Sequence, residues 1–263
     1  MSFLLDQPLR ITELHTFFRK TRTADYRFPG ESHDFWELVC VEEGQVGITA
    51  GEQILELESG QAFLHPPMQF HSIYSIGDNC PTYYIFTFSG KNIPDFEDCV
   101  CRIPDLSRVK SLYELGRKTF YMHQGWIQRL MEDAPNPLLF TKQLEFLLLQ
   151  LSQKEQPRSR TQSAQNYAVI MQTVHQNLHH RLTVPELAVL CRMSEINLQK
   201  TFSRYAGVGV MEYYTRTKMQ RAIELLRQGL SVKETALLLG YKDPNYFSTA
   251  FKRITGRAPT DYR

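Results

Sequence analysis

The stretch LTVPELAVL at residues 182–190 returns as LSVKETALL at residues 230–238, 48 positions further along the chain. After a one-residue slip the match resumes at a spacing of 49. Leu198 then pairs with Phe247, Phe202 with Phe251, Arg204 with Arg253, Gly207 with Gly256 and Tyr213 with Tyr262. A repeated supersecondary unit takes precedence over any single-segment reading. Each copy opens on the S/T-x-x-E spacing of a capping box, Thr183 with Glu186 and Ser231 with Glu234. Ala188 and Ala236 leave room for a second helix to approach closely. A short turn follows, CRMS at 191–194 and GYKDP at 240–244, and then a longer amphipathic helix. Its inner stripe is Leu198, Phe202 and Tyr205 in the first copy, and Phe247, Phe251 and Ile254 in the second. Helix, tight turn, longer helix is the helix-turn-helix unit, here present twice.

Subtracting the inner stripes leaves Ile196, Gln199, Lys200 and Ser203 facing outward in the first copy, and Asn245, Ser248, Thr249 and Lys252 in the second. Gln bonds adenine bidentately, Lys and Asn bond base edges, and Ile packs on a thymine methyl. The expected base-reading set is therefore Ile196, Gln199, Lys200, Asn245, Ser248 and Thr249. Arg204, Lys252, Arg253 and Arg257 lie later on or just past these helices, where phosphate contacts position such a module. A lone amphipathic helix with this face would read as an ordinary solvated surface. Two matched copies in a strongly basic segment reverse that judgement. Residues 157–263 hold 16 Lys and Arg against 7 Asp and Glu, a charge of +9, while residues 1–156 hold 14 against 21, a charge of −7. The chain's net charge of +2 hides this asymmetry, which points to a polyanion partner for one half only.

Residues 166–263 resemble the DNA-binding domain of AraC/XylS transcriptional regulators. The carrying stretch is KMQRAIELLRQGLSVKETALLLGYKDPNYFSTAFKRITGRAPTDYR, residues 218–263. It contains Arg221, Ala222, Leu225 and Leu226, then Ala236, Gly240-Tyr241, Tyr246-Phe247, Phe251-Lys252, Gly256, Pro259 and the closing Tyr262-Arg263. The resemblance implies an all-α domain with two helix-turn-helix units joined by one long helix, about Val210 to Arg227. Both recognition helices would then enter successive major-groove turns of double-stranded DNA, ~10 bp apart on one face of the duplex. Thr249 stands where many relatives carry Arg, so base reading is expected to lean on the first unit. His175, His179 and His180 lack a carboxylate or Cys at ligand spacing and read as helix surface.

The acidic half reads differently. From about Arg10 to Phe88, short apolar and aromatic runs alternate with turn residues: 35–41, then Gly44, Gly47 and Gly51, then Ile54 to Leu57, Gly60 to Leu64, Pro66-Pro67, and Tyr83 to Phe88. That pattern predicts an antiparallel sandwich or small barrel over about 10–90. Residues 107–154 read as helices, with Leu144, Leu147, Leu148 and Leu151 on one stripe opened by Asn136-Pro137, and residues 155–165 as a polar linker. The stripe serves either core packing or a dimer contact. On this reading residues 1–154 form one domain and 166–263 the other.

His33 to Glu37, Gly44, and Gly60 through Pro66 to His71 resemble the cupin-like domain often placed ahead of that DNA-binding half. Alternation puts Glu31, His33, Phe35 and Glu37 on one strand face, with His71 from a paired strand. The enzymatic cupin pattern is His-x-His-x(3)-Glu with a later His holding a metal. Here Glu31 replaces the first His, and Met68 replaces a turn Gly. Glu31, His33, Glu37 and His71 therefore admit two readings, a metal site or the polar end of an organic effector pocket. The pocket without a metal or other cofactor is the expectation. Its residues are Glu31, His33, Trp36, Glu37, His71, Tyr84 and Phe86, the aromatics being available to stack on a sugar.

The 263 residues, 42% hydrophobic and 12% aromatic, suffice for two packed domains and exclude global disorder. No apolar run reaches the ~18 residues of a membrane helix, and the opening MSFLLDQPLR lacks the basic leader of a signal peptide. Cys40, Cys80, Cys99, Cys101 and Cys191 lack zinc or disulfide-framework spacing and read as buried thiols in a reducing cytoplasm. There is no Ser or Cys nucleophile motif, phosphate-cradling loop or HExxH. The expected protein is a non-enzymatic, cytoplasmic, homodimeric regulator, an activator acting on RNA polymerase. It makes no membrane contact, and its DNA binding responds to a small molecule; the family resemblance alone makes a sugar the class to test first. The alternative is a metal-dependent cupin enzyme fused to a DNA-binding domain.

Overall fold

The computed structural model describes residues 9–94, 96, 99–154 and 161–262. The chain divides into two compact units, residues 1–159 and 160–263. No helix among the described residues is long and apolar enough to cross a membrane.

The N-terminal unit is built on β1 (Arg10–Thr21), β2 (Trp36–Glu43), β3 (Gln45–Ala50), β4 (Gln53–Glu58), β5 (Gln61–His65), β6 (His71–Ser75), β7 (Thr82–Lys91), β8 (Val100–Arg102) and β11 (Ser152–Lys154). One antiparallel sheet runs in the order β1-β7-β2-β5-β8-β11, and β4-β3-β6 forms the second. Strand alternation divides the larger sheet cleanly. Val39, Val41, Phe63, Tyr83 and Ile85 join Val46, Ile48 and Leu57 of the smaller sheet in the barrel core. Leu38, Cys40, Tyr84, Phe86 and Phe88 face the opposite side, where helices cover them.

Those helices are α1 (Leu106–Thr119) and α2 (Pro137–Gln150). Between them the expected continuous helical region is interrupted by a hairpin, β9 (Phe120–His123) and β10 (Trp126–Leu130). The reason is local: Gln124 and Gly125 both take positive φ, +49° and +86°, which closes a two-residue hairpin loop. Leu144, Leu147, Leu148 and Leu151 are all buried in the helix-side core with Phe140 and Phe17. The stripe is therefore core, and it is unavailable for a dimer contact. The apolar residues that α2 leaves in solvent are Leu138, Leu139, Phe146 and Leu149. Of the cysteines, Cys40, Cys101 and Cys191 are buried as expected, but Cys80 is exposed and Cys99 half-buried; all are free thiols.

The C-terminal unit comprises α3 (Gln162–Gln176), α4 (Val184–Leu190), α5 (Glu195–Ala206), α6 (Val210–Arg227), α7 (Val232–Leu238) and α8 (Pro244–Thr255), closed by a 3-10 turn (Pro259–Tyr262). Helix α3 begins inside the segment expected to be linker, because Thr161 accepts from the Ala164 amide as an N-cap and Ala164 is buried. Residues 155–160 of that segment lie outside the described residues. Both capping boxes form, at Thr183/Glu186 and Ser231/Glu234. Both recognition helices end on a left-handed glycine, Gly207 and Gly256. The repeat extends into the packing: Tyr213 sits 5.3 Å from Phe202 and Tyr262 sits 5.5 Å from Phe251, ring centroid to centroid. Helix α6 runs over the expected Val210–Arg227, contributing Met219, Ala222 and Leu226 to the core under Phe247 and Phe251.

Candidate functional site: a barrel cavity and two exposed recognition helices

The barrel holds a cavity of about 370 Å³ that opens at its mouth. Its inner walls are apolar, with Phe18, Phe28, Val39, Ile73 and Ile85. Its mouth is roofed by the β9–β10 turn, where Gln124, Gly125 and Trp126 complete the lining. Thr16 donates its hydroxyl to the Gly125 carbonyl, and Trp126 meets Phe35 edge-on at 6.1 Å.

Four residues converge at the polar end. Glu31 and His71 exchange both backbone hydrogen bonds at 2.9 Å, so the two segments pair there as expected. The His33 ring stacks on Phe35 at 3.8 Å, with Nδ1 2.9 Å from the Phe35 carbonyl. His71 stacks on His65 at 4.4 Å, with Nδ1 3.0 Å from the Gln69 carbonyl. Glu37 lies between them, Oε2 3.6 Å from His33 Nε2 and Oε1 3.6 Å from His71 Nε2. One donor atom from each of Glu31, His33, Glu37 and His71 lies within 4.8 Å of the others. Burial alone would raise the Glu37 carboxyl, but His71 and His33 outweigh it and hold it low. Burial and the neighbouring Glu37 charge push Glu31 up. His65, fully enclosed and beside His71, is pushed down to about 3 and stays neutral. Met68, in place of the turn glycine, accepts φ +66°, and its amide donates to the His33 carbonyl at 2.7 Å.

Glu31, His33, Glu37 and His71 thus line the cavity together. Trp36, Tyr84 and Phe86 do not: they belong to the helix-side core, with Tyr84 5.5 Å from Tyr113 and Phe86 6.3 Å from Phe140. The cause is register. Glu37 pairs with Thr87, so residues of Thr87's parity, Tyr83 and Ile85, face inward. Arg22, Tyr26 and the roof residues escaped sequence reading because strand alternation carries no signal for contacts made across a barrel mouth.

On the DNA-binding unit, Ile196 is 78% exposed, and Gln199, Lys200 and Arg204 are exposed along the same helix. Asn245, Thr249, Lys252, Arg253 and Arg257 are exposed in or after α8. Ser248 departs from the expected outward set. It is half-buried, and its hydroxyl donates to the Pro244 carbonyl at 2.8 Å. The Thr249 hydroxyl likewise donates to Asn245 O at 3.0 Å. Tyr246, expected with Phe247 to anchor the second unit, is instead exposed on α8 under the Arg181 guanidinium at 5.6 Å, while Phe247 is buried. His175 is on the α3 surface and bonds the Tyr213 hydroxyl at 2.8 Å, whereas His179 and His180 follow the helix rather than lie on it.

A barrel with an internal pocket, followed by tandem helix-turn-helix units, defines a DNA-binding transcription regulator with a ligand-binding domain. Residues 15–98 match the AraC-like ligand binding domain, and residues 169–263 match a helix-turn-helix domain. The Msm operon regulatory protein of Streptococcus mutans is 26% identical over 259 residues, covering 90% of this chain and 87% of that protein. The transcriptional activator RhaS of Pectobacterium carotovorum is 24% identical over 251 residues, covering 92% and 90%. ToxT from Vibrio cholerae aligns over 97% of this chain and 98% of its own at 15% identity, with a TM-score of 0.36. The chain belongs to the AraC family of transcription regulators.

Proposed function

We propose that the protein is a cytoplasmic transcription activator whose DNA affinity is set by a small organic effector in the barrel cavity. The observation that carries the reading is the pairing of a largely apolar barrel pocket in one unit with two capped, outward-facing recognition helices in the other. A sugar is the effector class to test first: Trp126 and Tyr26 offer aromatic rings, and Glu31, Thr16 and Gln124 offer hydroxyl partners. Effector and DNA are linked by their differential affinity for two arrangements of the chain, a coupling of about 1–3 kcal/mol in typical cases. Saturating effector that leaves both DNA affinity and promoter output unchanged would sink this reading.

Gln199 and Lys200 read base edges, with Ile196, Asn245 and Thr249 adding contacts, while Arg204, Lys252, Arg253 and Arg257 engage phosphates. Selection of random duplexes by the full chain is expected to return two blocks about 10 bp apart. Gln199→Ala and Lys200→Ala should each relax preference within one block, costing about 1–3 kcal/mol there. Arg253→Ala should weaken binding to every sequence and reduce the salt slope by about one. Indistinguishable behaviour of the two classes would overturn the assignment.

The activator works as a homodimer, contacting RNA polymerase when seated on its site. We assign its dimer contact to the α2 residues Leu138, Leu139, Phe146 and Leu149; their exposure, beside the burial of the other stripe, supports this. Leu149→Glu should raise the dimer dissociation constant at least tenfold in sedimentation equilibrium, at a cost of about 1.4 kcal/mol or more. Wild-type protein that stays monomeric at all concentrations would refute the placement.

A further inference from the structure

We infer that Arg181, a residue of the loop between α3 and α4 and of neither recognition helix, is a DNA phosphate contact reaching from the first helix-turn-helix unit to the second, an assignment that rests on the reading of α5 and α8 as groove-entering helices. Helical period sets the edges of α8. Asn245 and Thr249 lie about one turn apart on its outward face, while Tyr246 and Arg253 lie about two turns apart along one flank of that face. Tyr246 is in the first turn and 54% exposed. The Arg181 guanidinium covers its ring, 5.6 Å from the centroid. Arg181 thereby extends the flank that Arg253 continues, and the charges of both act on the Tyr241 hydroxyl.

The backbone that carries Arg181 is held on two sides. The carbonyl of its neighbour His180 accepts from Lys218 Nζ and from the Tyr214 hydroxyl, and Gly240 packs close against the His179 carbonyl. The guanidinium therefore starts from a fixed stem and a ring support, which leaves less freedom to lose on binding. What it lacks is an anion. The described ion pairs of this unit are Arg216–Glu212 and Arg221–Glu224, so neither Arg181 nor Arg253 has a carboxylate partner among the described residues. Asp243, at the head of α8, turns its carboxylate to the Asn245 amide at 2.8 Å. Lys218 adds a third cation, its ammonium 5.2 Å from the Tyr241 ring centroid. With α5 and α8 in successive major-groove turns, the duplex presents the intervening minor groove and its two bordering strands to the joint between the units. A planar guanidinium grips two phosphate oxygens at once, so Arg181 suits a phosphate on the border beside α8.

Full-length protein is titrated by fluorescence anisotropy, over a range of salt, with a duplex carrying both selected blocks. Matching duplexes replace single phosphates between the blocks by neutral methylphosphonates. Arg181→Ala, and Arg181→Gln, which keeps the stem, should weaken binding to every sequence about tenfold and lower the salt slope by about one. A methylphosphonate beside the second block should weaken the wild type by a similar factor and cause no further loss in either variant, the mark of a direct contact. Tyr246→Phe keeps the ring and should retain that coupling, whereas Tyr246→Leu should lose most of it. Thermal melts followed by helical ellipticity report whether each variant is folded. Wild type that binds no duplex overturns the DNA-binding reading and this assignment with it. Wild type that binds, matched in affinity and salt slope by folded Arg181→Gln, overturns this assignment alone. So does a weakened Arg181→Gln that still loses affinity at each methylphosphonate as the wild type does, because such a residue only braces the joint.

Discussion

Gly240→Ala is expected to cost the C-terminal unit about 2–4 kcal/mol, the sum of a left-handed backbone penalty and an overpacked contact. Gly240 closes the turn between α7 and α8 with φ +73°. A Cβ there would stand 2.5 Å from the His179 carbonyl oxygen and 3.1 Å from the His180 carbonyl carbon. Backbone on both sides leaves no flexible side chain to yield. The matching position of the first unit supplies the control. Arg192 also takes positive φ, +55°, yet it is exposed and carries a full side chain. Arg192→Gly should therefore be nearly neutral, since relief of ~1 kcal/mol of strain is offset by the entropy glycine adds to the unfolded chain. Both tryptophans, Trp36 and Trp126, belong to the N-terminal unit. Helical ellipticity in denaturant should thus shift its midpoint in Gly240→Ala while tryptophan emission does not. Equal midpoints for wild type and Gly240→Ala would show that the turn adapts.

The repeat was legible because its marks are local. Capping boxes, terminal glycines and a 3.6-residue apolar period all sit within one helix or turn, and each survives folding unchanged. The convergence of Glu31, His33, Glu37 and His71 was legible for a similar reason, as alternation along one strand plus one partner. What failed needed information about pairing. Tyr84 and Phe86 are aromatic on a barrel strand either way, and only the Glu37–Thr87 register assigns them to the helix side. Leu144, Leu147, Leu148 and Leu151 carry the same period whether they meet their own sheet or a second chain. The hairpin at 120–130 was hidden because a two-residue turn without Asn or Asp, here Gln124-Gly125, sends a weak signal inside a helical context.

Lys218→Met is expected to abolish an unusual alkaline stabilisation of the C-terminal unit. Lys218 is only 3% exposed on α6. Its ammonium donates to the His180 carbonyl and lies over the rings of Tyr214, at 4.9 Å, and Tyr241, at 5.2 Å. The Tyr214 hydroxyl donates to the same carbonyl at 2.5 Å. The loop into α4 is thus pinned by α6, and Gly240 packs on it from the second unit, which fixes the two helix-turn-helix units to each other through one stretch of backbone. Burial, with the Arg181 charge adding to it, lowers the Lys218 pKa from 10.5 to about 8. Below pH 8 the amine is charged in both states, and the folded state bears the full penalty. Between the folded and unfolded values the unfolded chain binds more protons, so stability rises with pH. From pH 8 to 10 the gain is about 2 kcal/mol. Tyr214 and Tyr241, whose hydroxyls burial pushes up, oppose it only above that range. Urea unfolding followed by helical ellipticity should therefore show a midpoint that climbs from pH 8 to 10 in the wild type and stays level in Lys218→Met. A level wild-type profile would mean that the carbonyl and the two tyrosine faces replace the lost hydration in full, and that Lys218 serves the joint between the units without strain.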